Sequence, residues 1–421
     1  MPVRRLWTAA ASLAGNRTVR ESGVLMAAQG GSMVLSFAFT VLVTRSLDVA
    51  EYGTFRYAMT FLAMMMSVLQ LGWPQSVSRL LALEGERHAQ RRLVGASVML
   101  LLAASGIGTV ATALVVGTAG ASGHPLPWIL LWVSPFLYLT LGQQFLNSIG
   151  QGLSRIELLA AQQLLPYTIL LPVTAVQVLL IRSYSLRAAL VGYVVVFTLV
   201  VVTGFVHAGC SFDSWREPAR AIGEENRRTG LPLYIGGLFG VASAQLIALL
   251  VAEFSTPREY GQYALALAVS GPLGVLVSSI GTVIFRSSVG RHSLSNQVVG
   301  YSLGFGGVLA GTFWAATELL LPRVFGEQYR ASVPMAQAMA AGAIMIGWGD
   351  IFQRFLTARG RGRALGVVSV CTGIVGLVSA ALLFRAWGVW GAIASAFLAS
   401  ATYLGLNSVL YAQRPVPPMP N

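Results

Sequence analysis

The sequence predicts an all-α polytopic membrane protein of about twelve transmembrane helices, and three observations carry that prediction. Charged residues make up only 10% of the 421-residue chain, and hydrophobic residues make up 55%. A soluble domain carries about 25% charged residues, so this chain lacks the polar side chains to cover a water-facing surface. Its apolar runs repeatedly reach the roughly twenty residues that a bilayer crossing needs. Its basic residues fall between those runs, concentrated on alternate connections.

Runs bounded by Arg, Pro and Gly place the first six spans at 23–44, 57–80, 93–117, 127–149, 157–181 and 188–208. The second six fall at 231–254, 262–285, 297–321, 332–356, 364–384 and 388–411. Prolines within spans, at Pro166, Pro172 and Pro272, are tolerated where neighbouring helices satisfy the freed backbone groups. The organisation that follows is an N-terminal tail (1–22), an N-lobe of six helices (23–208), an inter-lobe linker (209–230), a C-lobe of six helices (231–411) and a C-terminal tail (412–421). Met1 to Glu21 is basic and polar, without the apolar core of a secretory signal. No connection is long enough to form a soluble domain.

All 28 basic residues are Arg, and the formal net charge is +13. The charges are dispersed between apolar spans, which excludes nucleic acid as a partner. Counted by connection, twenty Arg lie on one side of the membrane and eight on the other. The rule that cytoplasmic loops carry the positive excess places both termini in the cytoplasm. Cys210 and Cys371 lie far apart and show no metal-ligand spacing. No metal site and no cofactor is expected.

An internal repeat sharpens the picture. Glu51-Tyr52-Gly53 follows the first span, and Glu259-Tyr260-Gly261 follows the seventh, at an offset of 208. Gln143, Phe145 and Leu146 end the fourth span; Gln353, Phe355 and Leu356 end the tenth, at an offset of 210. Six spans per copy is an even number, so both copies keep one orientation. Such parallel repeats place a substrate path between lobes that rock, and this moves the reading from membrane protein to transporter.

Several segments then resemble a known family. Arg45 to Phe55 (RSLDVAEYGTF) is similar to the first-loop signature of Wzx-type polysaccharide flippases, in the multidrug/oligosaccharidyl-lipid/polysaccharide exporter superfamily. Gly72 to Arg79, Phe325 to Ala331 (FGEQYRA) and Gly388 to Ala392 (GVWGA) fit in order and spacing, and the resemblance runs from about Gly23 to Tyr411. It implies two parallel six-helix lobes in a V, like those of multidrug (MATE) exporters, in a bacterial cytoplasmic (inner) membrane. It implies export of a polyprenyl-diphosphate-linked oligosaccharide for surface polysaccharides such as lipopolysaccharide or exopolysaccharide. Alternating access would be driven by H+ or Na+, with membrane lipid around the protein and a polysaccharide polymerase and glycosyltransferases as partners. One departure is plain. Relatives often carry an Asp in the seventh helix, but Ile247 occupies that position, with Leu246 and Gln245 beside it.

Charge inside a span costs roughly 2.5–3.5 kcal/mol at its centre, so such residues are read as pairs or as lumen groups. Asp350 is the deepest acid, and Arg354 lies one turn on, on the same face. They are expected either to pair with each other or to couple or gate transport. Arg79 and Arg286 close the second and eighth spans. Each is read as a snorkelling side chain or as a contact for the substrate diphosphate. Arg45 and Glu253 occupy matching positions with opposite sign and are candidates for a gate. Gln29, Gln70, Gln143, Gln144, Asn147 and Gln245 are uncharged hydrogen-bonders suited either to sugar hydroxyls or to interhelical contacts.

Enzyme classes fit poorly, because no acid–base constellation and no extramembrane domain is visible. The alternative within transport is a cation-coupled multidrug antiporter. It needs acids in a lobe cavity, and the first lobe has no mid-span acid.

Overall fold

Lipid offers no hydrogen bonds, so a spanning chain must satisfy its backbone within itself, and the helix does this locally. The computed structural model describes residues 17–121, 129–181, 184–288, 296–358 and 361–413, and among these no strand occurs. The expected tails at 1–22 and 412–421 fall largely outside the described residues. The first helices are α1 (Arg17–Ser46), α2 (Val49–Leu69), α3 (Trp73–Leu83) and α4 (Arg87–Ala121). Next come α5 (Ile129–Val133), which runs through a 3-10 turn into α6 (Leu137–Gly152), then α7 (Ile156–Ile181), α8 (Leu186–Ala208) and α9 (Arg216–Glu225). The remainder are α10 (Leu231–Phe254), α11 (Pro257–Ser288), α12 (Asn296–Phe325), α13 (Ser332–Ala358), α14 (Gly362–Trp387) and α15 (Val389–Ala412).

Ten helices among the described residues are long and apolar enough to cross a membrane. The two other expected spans are the second and the seventh. The seventh, α10, registers only through its shorter apolar stretch Ala242–Phe254. The second differs from the expected continuous helix at 57–80, because it breaks at Leu71 and Gly72, both with positive φ (47° and 79°). It also begins earlier than expected: α2 starts at Val49, so most of the first-loop signature is helical. The expected linker 209–230 holds a helix of its own, α9, and a π turn at Asn226–Gly230.

The chain forms two compact units, one holding residues up to Ser46 with Val68–Leu233, the other holding Leu47–Ser67 with Tyr234–Asn421. The second helix therefore packs with the second unit, where the sequence alone grouped it with the first six.

In the first unit, α6 is the central helix. Leu137, Leu139, Leu141, Phe145, Leu146 and Ile149 on it are fully buried, with α3, α4, α7 and α8 packed round it. The outer helices invert the soluble pattern. On α8, Val191, Val195, Leu199, Val202 and Val206 are each more than half exposed at helical spacing, a lipid-facing stripe that a water-soluble protein would bury.

In the second unit, α11 and α13 are the main pair, and α15 packs on α13. Their core is Leu273, Val277, Ala340, Ile344, Ile351 and Phe355.

The repeated Glu-Tyr-Gly triplets meet in this second unit. Glu51 accepts the Asp48 backbone N–H at 3.4 Å, and Glu259 accepts the Thr256 N–H at 2.9 Å. The Thr256 hydroxyl accepts the Glu259 N–H in return, at 3.2 Å. Each Glu thus closes the start of its helix as in a capping box. The glycines make the crossing. A methyl group on Gly53 would strike the Pro257 carbonyl oxygen, and one on Gly261 would strike that of Val49. Val49 and Pro257 are themselves 208 apart, so the contact maps onto itself when the two copies are exchanged.

Candidate functional site

The second unit holds a half-open cavity of about 240 Å³ between α11, α13 and α15. Most of its lining is apolar, with Ser270, Ser278 and Ser400 as neutral polar groups and Asp350 as its single acid. Gly349, beside Asp350, has no side chain, and a methyl group there would sit 2.5 Å from the Tyr403 ring. That space lets the ring of α15 lie against α13. The Tyr403 hydroxyl donates to Asp350 Oδ1 at 2.7 Å and lies 2.6 Å from Gln353 Oε1. A phenol has one proton. With it on the carboxylate contact, the Gln353 amide turned over would donate to the phenol oxygen.

Asp350 and Gln353 are three residues apart and share a helix face. The result is a half-buried carboxylate, a phenol and an amide within hydrogen-bond reach of one another. Such a set can take up a proton, or offer oxygen ligands to a small cation. The sequence reads Asp350 and Arg354 either as a pair or as a coupling or gating site, and Tyr403 supplies the acid's hydrogen bond. No salt bridge joins the two among the described residues. No cluster of three or more His, Cys, Asp or Glu able to hold a metal ion occurs among the described residues.

A second polar cluster lies at the α3–α9 end of the first unit. Pro74 sits in the first turn of α3, just after the left-handed Gly72. The broken helix leaves the Leu71 carbonyl without its helical partner, and the Asn226 side-chain amide donates to it at 3.0 Å. Ser76 donates to Asn226 Oδ1 at 3.2 Å. Both Ser76 and Asn226 are buried. One turn further along α3, Arg79 donates from one nitrogen to Glu225 Oε1 and to Thr229 Oγ1, both at 2.7 Å. Arg92 pairs with Glu217, while Pro218 and Ile222 bury the inner face of α9. Arg79 is a cation already holding a carboxylate, at an end where its side chain is half exposed.

The remaining sequence candidates are scattered. Gln29 on α1 is exposed. Gln70, next to the helix break, is half-buried, and its Oε1 is buried without a partner. Gln143, Gln144 and Asn147 share α6, and Gln245 lies on α10, all half-buried. Arg45 ends α1 exposed, and Glu253 on α10 accepts the Tyr57 hydroxyl at 3.2 Å. Arg286 lies on α11, where its side chain is outside the described residues. The sequence reading missed Tyr403, Glu225, Thr229 and Asn226, and used Gln353 only as a repeat landmark. Of the linker residues, Glu225 and Asn226 carried a weak signal, an acid and an amide in a connection otherwise rich in Arg.

Residues 18–285 match the family described as polysaccharide biosynthesis protein. No curated protein matches the sequence at a significant level. Among solved structures, the chain is similar to the lipid II flippase MurJ in an inward closed conformation. The TM-score is 0.72 at 12% identity, over 93% of this chain and 88% of the other. It is also similar to an inward-facing multidrug resistance MATE family transporter of the MOP superfamily, at TM-score 0.66 and 11% identity, over 90% and 93%. A eukaryotic MATE transporter, AtDTX14, matches at TM-score 0.60 and 14% identity, over 94% and 96%. At these identities the likeness is one of fold.

Proposed function

The chain belongs to the polysaccharide biosynthesis protein family, and from that premise we propose that it flips a polyprenyl-diphosphate-linked oligosaccharide across the cytoplasmic membrane by alternating access. The product would feed surface polysaccharide assembly, with glycosyltransferases supplying the substrate and a polymerase consuming it. Both termini would be cytoplasmic. The family match over residues 18–285 carries the reading. The structural neighbours fit transport rather than catalysis, since one is a lipid II flippase and the others are transporters.

Arg79 suits the diphosphate. A guanidinium presents a planar fork to phosphate oxygens and binds them through charge-assisted hydrogen bonds. Here it holds Glu225 and Thr229, and the substrate diphosphate takes their place. Arg286 is the corresponding cation of the second repeat. Gln29, Gln70, Gln143, Gln144, Asn147 and Gln245 are the pool from which sugar hydroxyls draw partners. Asp350, with Tyr403 and Gln353, is the coupling group for H+ or Na+, and Arg354 sets the field beside it. Arg45 and Glu253 serve as gate residues.

The fold shared with MATE transporters keeps a second reading in play, a cation-coupled multidrug antiporter. Spans of the first repeat that lack a mid-span acid weigh against it, because cationic drugs need a carboxylate to meet.

The test is flipping of a fluorescent polyprenyl-diphosphate oligosaccharide in proteoliposomes, comparing wild type with Arg79→Ala plus Arg286→Ala. Loss of charge-assisted hydrogen bonds, roughly 1.5–3 kcal/mol each, predicts at least a tenfold fall. Unchanged flipping removes the diphosphate role from these residues.

A further inference from the structure

A second cavity, of about 530 Å³, lies in the first unit between α7 and α8, away from the groups assigned above. Its lining includes Glu157, Gln162, Leu165, Thr203, Val206 and His207. Leu165 and Val206 are exposed, so the cavity opens onto the apolar face that meets lipid. Gln162 is 6% exposed, and neither its Nε2 nor its Oε1 has a hydrogen-bond partner. A primary amide buried without partners loses free energy on both its donor and its acceptor. Gly204 stands opposite: a methyl group there would press on the Leu146 side chain at 2.8 Å and also reach van der Waals contact with Nε2, at 3.7 Å.

The two ends of the cavity differ in chemistry. At the start of α7, Glu157 is an exposed carboxylate. Two residues earlier, the exposed Arg155 donates from one nitrogen to the His207 carbonyl oxygen at 3.1 Å, one of the five N–H groups a guanidinium carries. Gln162 lies five residues along the helix from Glu157, about 7.5 Å deeper at 1.5 Å per residue. Beyond it the lining is aliphatic, with Leu165 and Val200, and Leu158 lines the wall nearer the mouth. A carboxylate at the cavity mouth, a cation held at the same mouth through the carbonyl of the lining residue His207, a donor–acceptor amide one and a half turns down, and an apolar wall match a zwitterionic phospholipid. The phosphate meets Arg155, a headgroup ammonium meets Glu157, the ester region meets Gln162, and an acyl chain lies along the leucines.

We propose that the α7–α8 cavity is a binding site for a membrane phospholipid with a phosphoethanolamine headgroup, seated on Glu157, Arg155 and Gln162. A primary ammonium can donate hydrogen bonds to the Glu157 carboxylate. A phosphocholine headgroup carries the charge without a donor, and a phosphoglycerol headgroup lacks the cation. This proposal is independent of the substrate that the protein carries.

Native mass spectrometry of the full chain in detergent, titrated with phosphatidylethanolamine, phosphatidylcholine, phosphatidylglycerol and a polyprenyl phosphate, tests it. The expected result is preferential retention of phosphatidylethanolamine. Gln162→Leu, which fills the same volume without polar atoms, should weaken that retention about tenfold, the worth of one well-made hydrogen bond, while the lipid-free melting temperature holds or rises. Glu157→Gln should erase the preference over phosphatidylcholine. Equal retention of all four lipids in wild type overturns the proposal, as does retention unaffected by Gln162→Leu. A preference for phosphatidylglycerol or for the polyprenyl phosphate assigns the cavity to an anionic lipid and overturns it too.

Discussion

At the scale of single residues, the Glu-Tyr-Gly triplet turns out to be structural in each of its three positions. Glu51 and Glu259 cap helix starts. Tyr52 and Tyr260 are buried at 1% and 2% exposure. Gly53 and Gly261 let two backbones touch. Because backbone rather than a flexible side chain opposes each glycine, Gly53→Ala or Gly261→Ala should destabilise the protein by about 1–3 kcal/mol, read as a lower melting temperature in detergent. The double variant should lose less than the sum, since both methyl groups strain one crossing. Tyr52 packs edge-on against Tyr329, with ring centroids 6.0 Å apart, so a residue of the first-loop signature rests on one from the FGEQYRA segment. Both hydroxyls are buried without a hydrogen-bond partner. Burial, with Tyr52 and Asp48 nearby, holds the Tyr329 phenol above its ordinary pKa and therefore neutral. Removing an orphaned hydroxyl relieves a cost of about 1–3 kcal/mol, so Tyr52→Phe and Tyr329→Phe should keep or raise the melting temperature, whereas a marked drop would show a partner for these groups. Asp350 contrasts with these packing residues. Asp350→Asn retains an oxygen to accept from Tyr403, so folding should survive. Under the proposed role, transport should stop responding to an imposed H+ or Na+ gradient; an undiminished response would remove Asp350 from coupling.

At the scale of elements, the break between α2 and α3 and the linker helix α9 form one arrangement. Two kinds of contact hold it, and their burial separates their worth. Asn226 is buried and bonded to Leu71 and Ser76. Deleting it removes a part-buried bond to the Leu71 carbonyl and a buried one from Ser76, at about 0.5–1.5 kcal/mol each. The Arg79–Glu225 pair is solvated on the Arg side, 49% exposed, where such pairs contribute about 0–1 kcal/mol. Asn226→Ala should therefore lower the melting temperature clearly, while Arg79→Ala barely moves it. If Arg79 contacts substrate, the order reverses for flipping. A larger stability loss from Arg79→Ala would make that residue a structural tie. This arrangement was not legible in the sequence, because the group that satisfies the broken helix comes from 155 residues away. The Tyr403–Asp350 contact was hidden for the same reason, its partners lying 53 positions apart. What could be read were signals carried by a segment itself: apolar length, prolines and the repeated triplet. The triplet showed that a repeat exists but not that its two copies touch.

At the scale of the whole molecule, hydropathy made the fold class legible, because lipid forces apolar side chains outward and helices upon the backbone. The expected spans therefore reappear as helical segments, and the differences fall where tertiary contacts decide, at the broken second span and at its assignment to a compact unit. The orientation read from Arg follows from a different force, the cost of moving cations across the membrane, and it has its own test. In a background lacking Cys210 and Cys371, Asp213→Cys should react with an impermeant maleimide only after cells are opened, and Arg385→Cys should react in intact cells. The opposite pattern would invert the topology. The central claim concerns cargo, and reconstitution addresses it directly. Purified protein in sealed vesicles should move a labelled polyprenyl-diphosphate oligosaccharide between leaflets faster than protein-free vesicles do, and should leave cationic drug gradients unchanged in the same preparation. Drug movement without lipid flipping would contradict the account and establish the antiporter reading in its place.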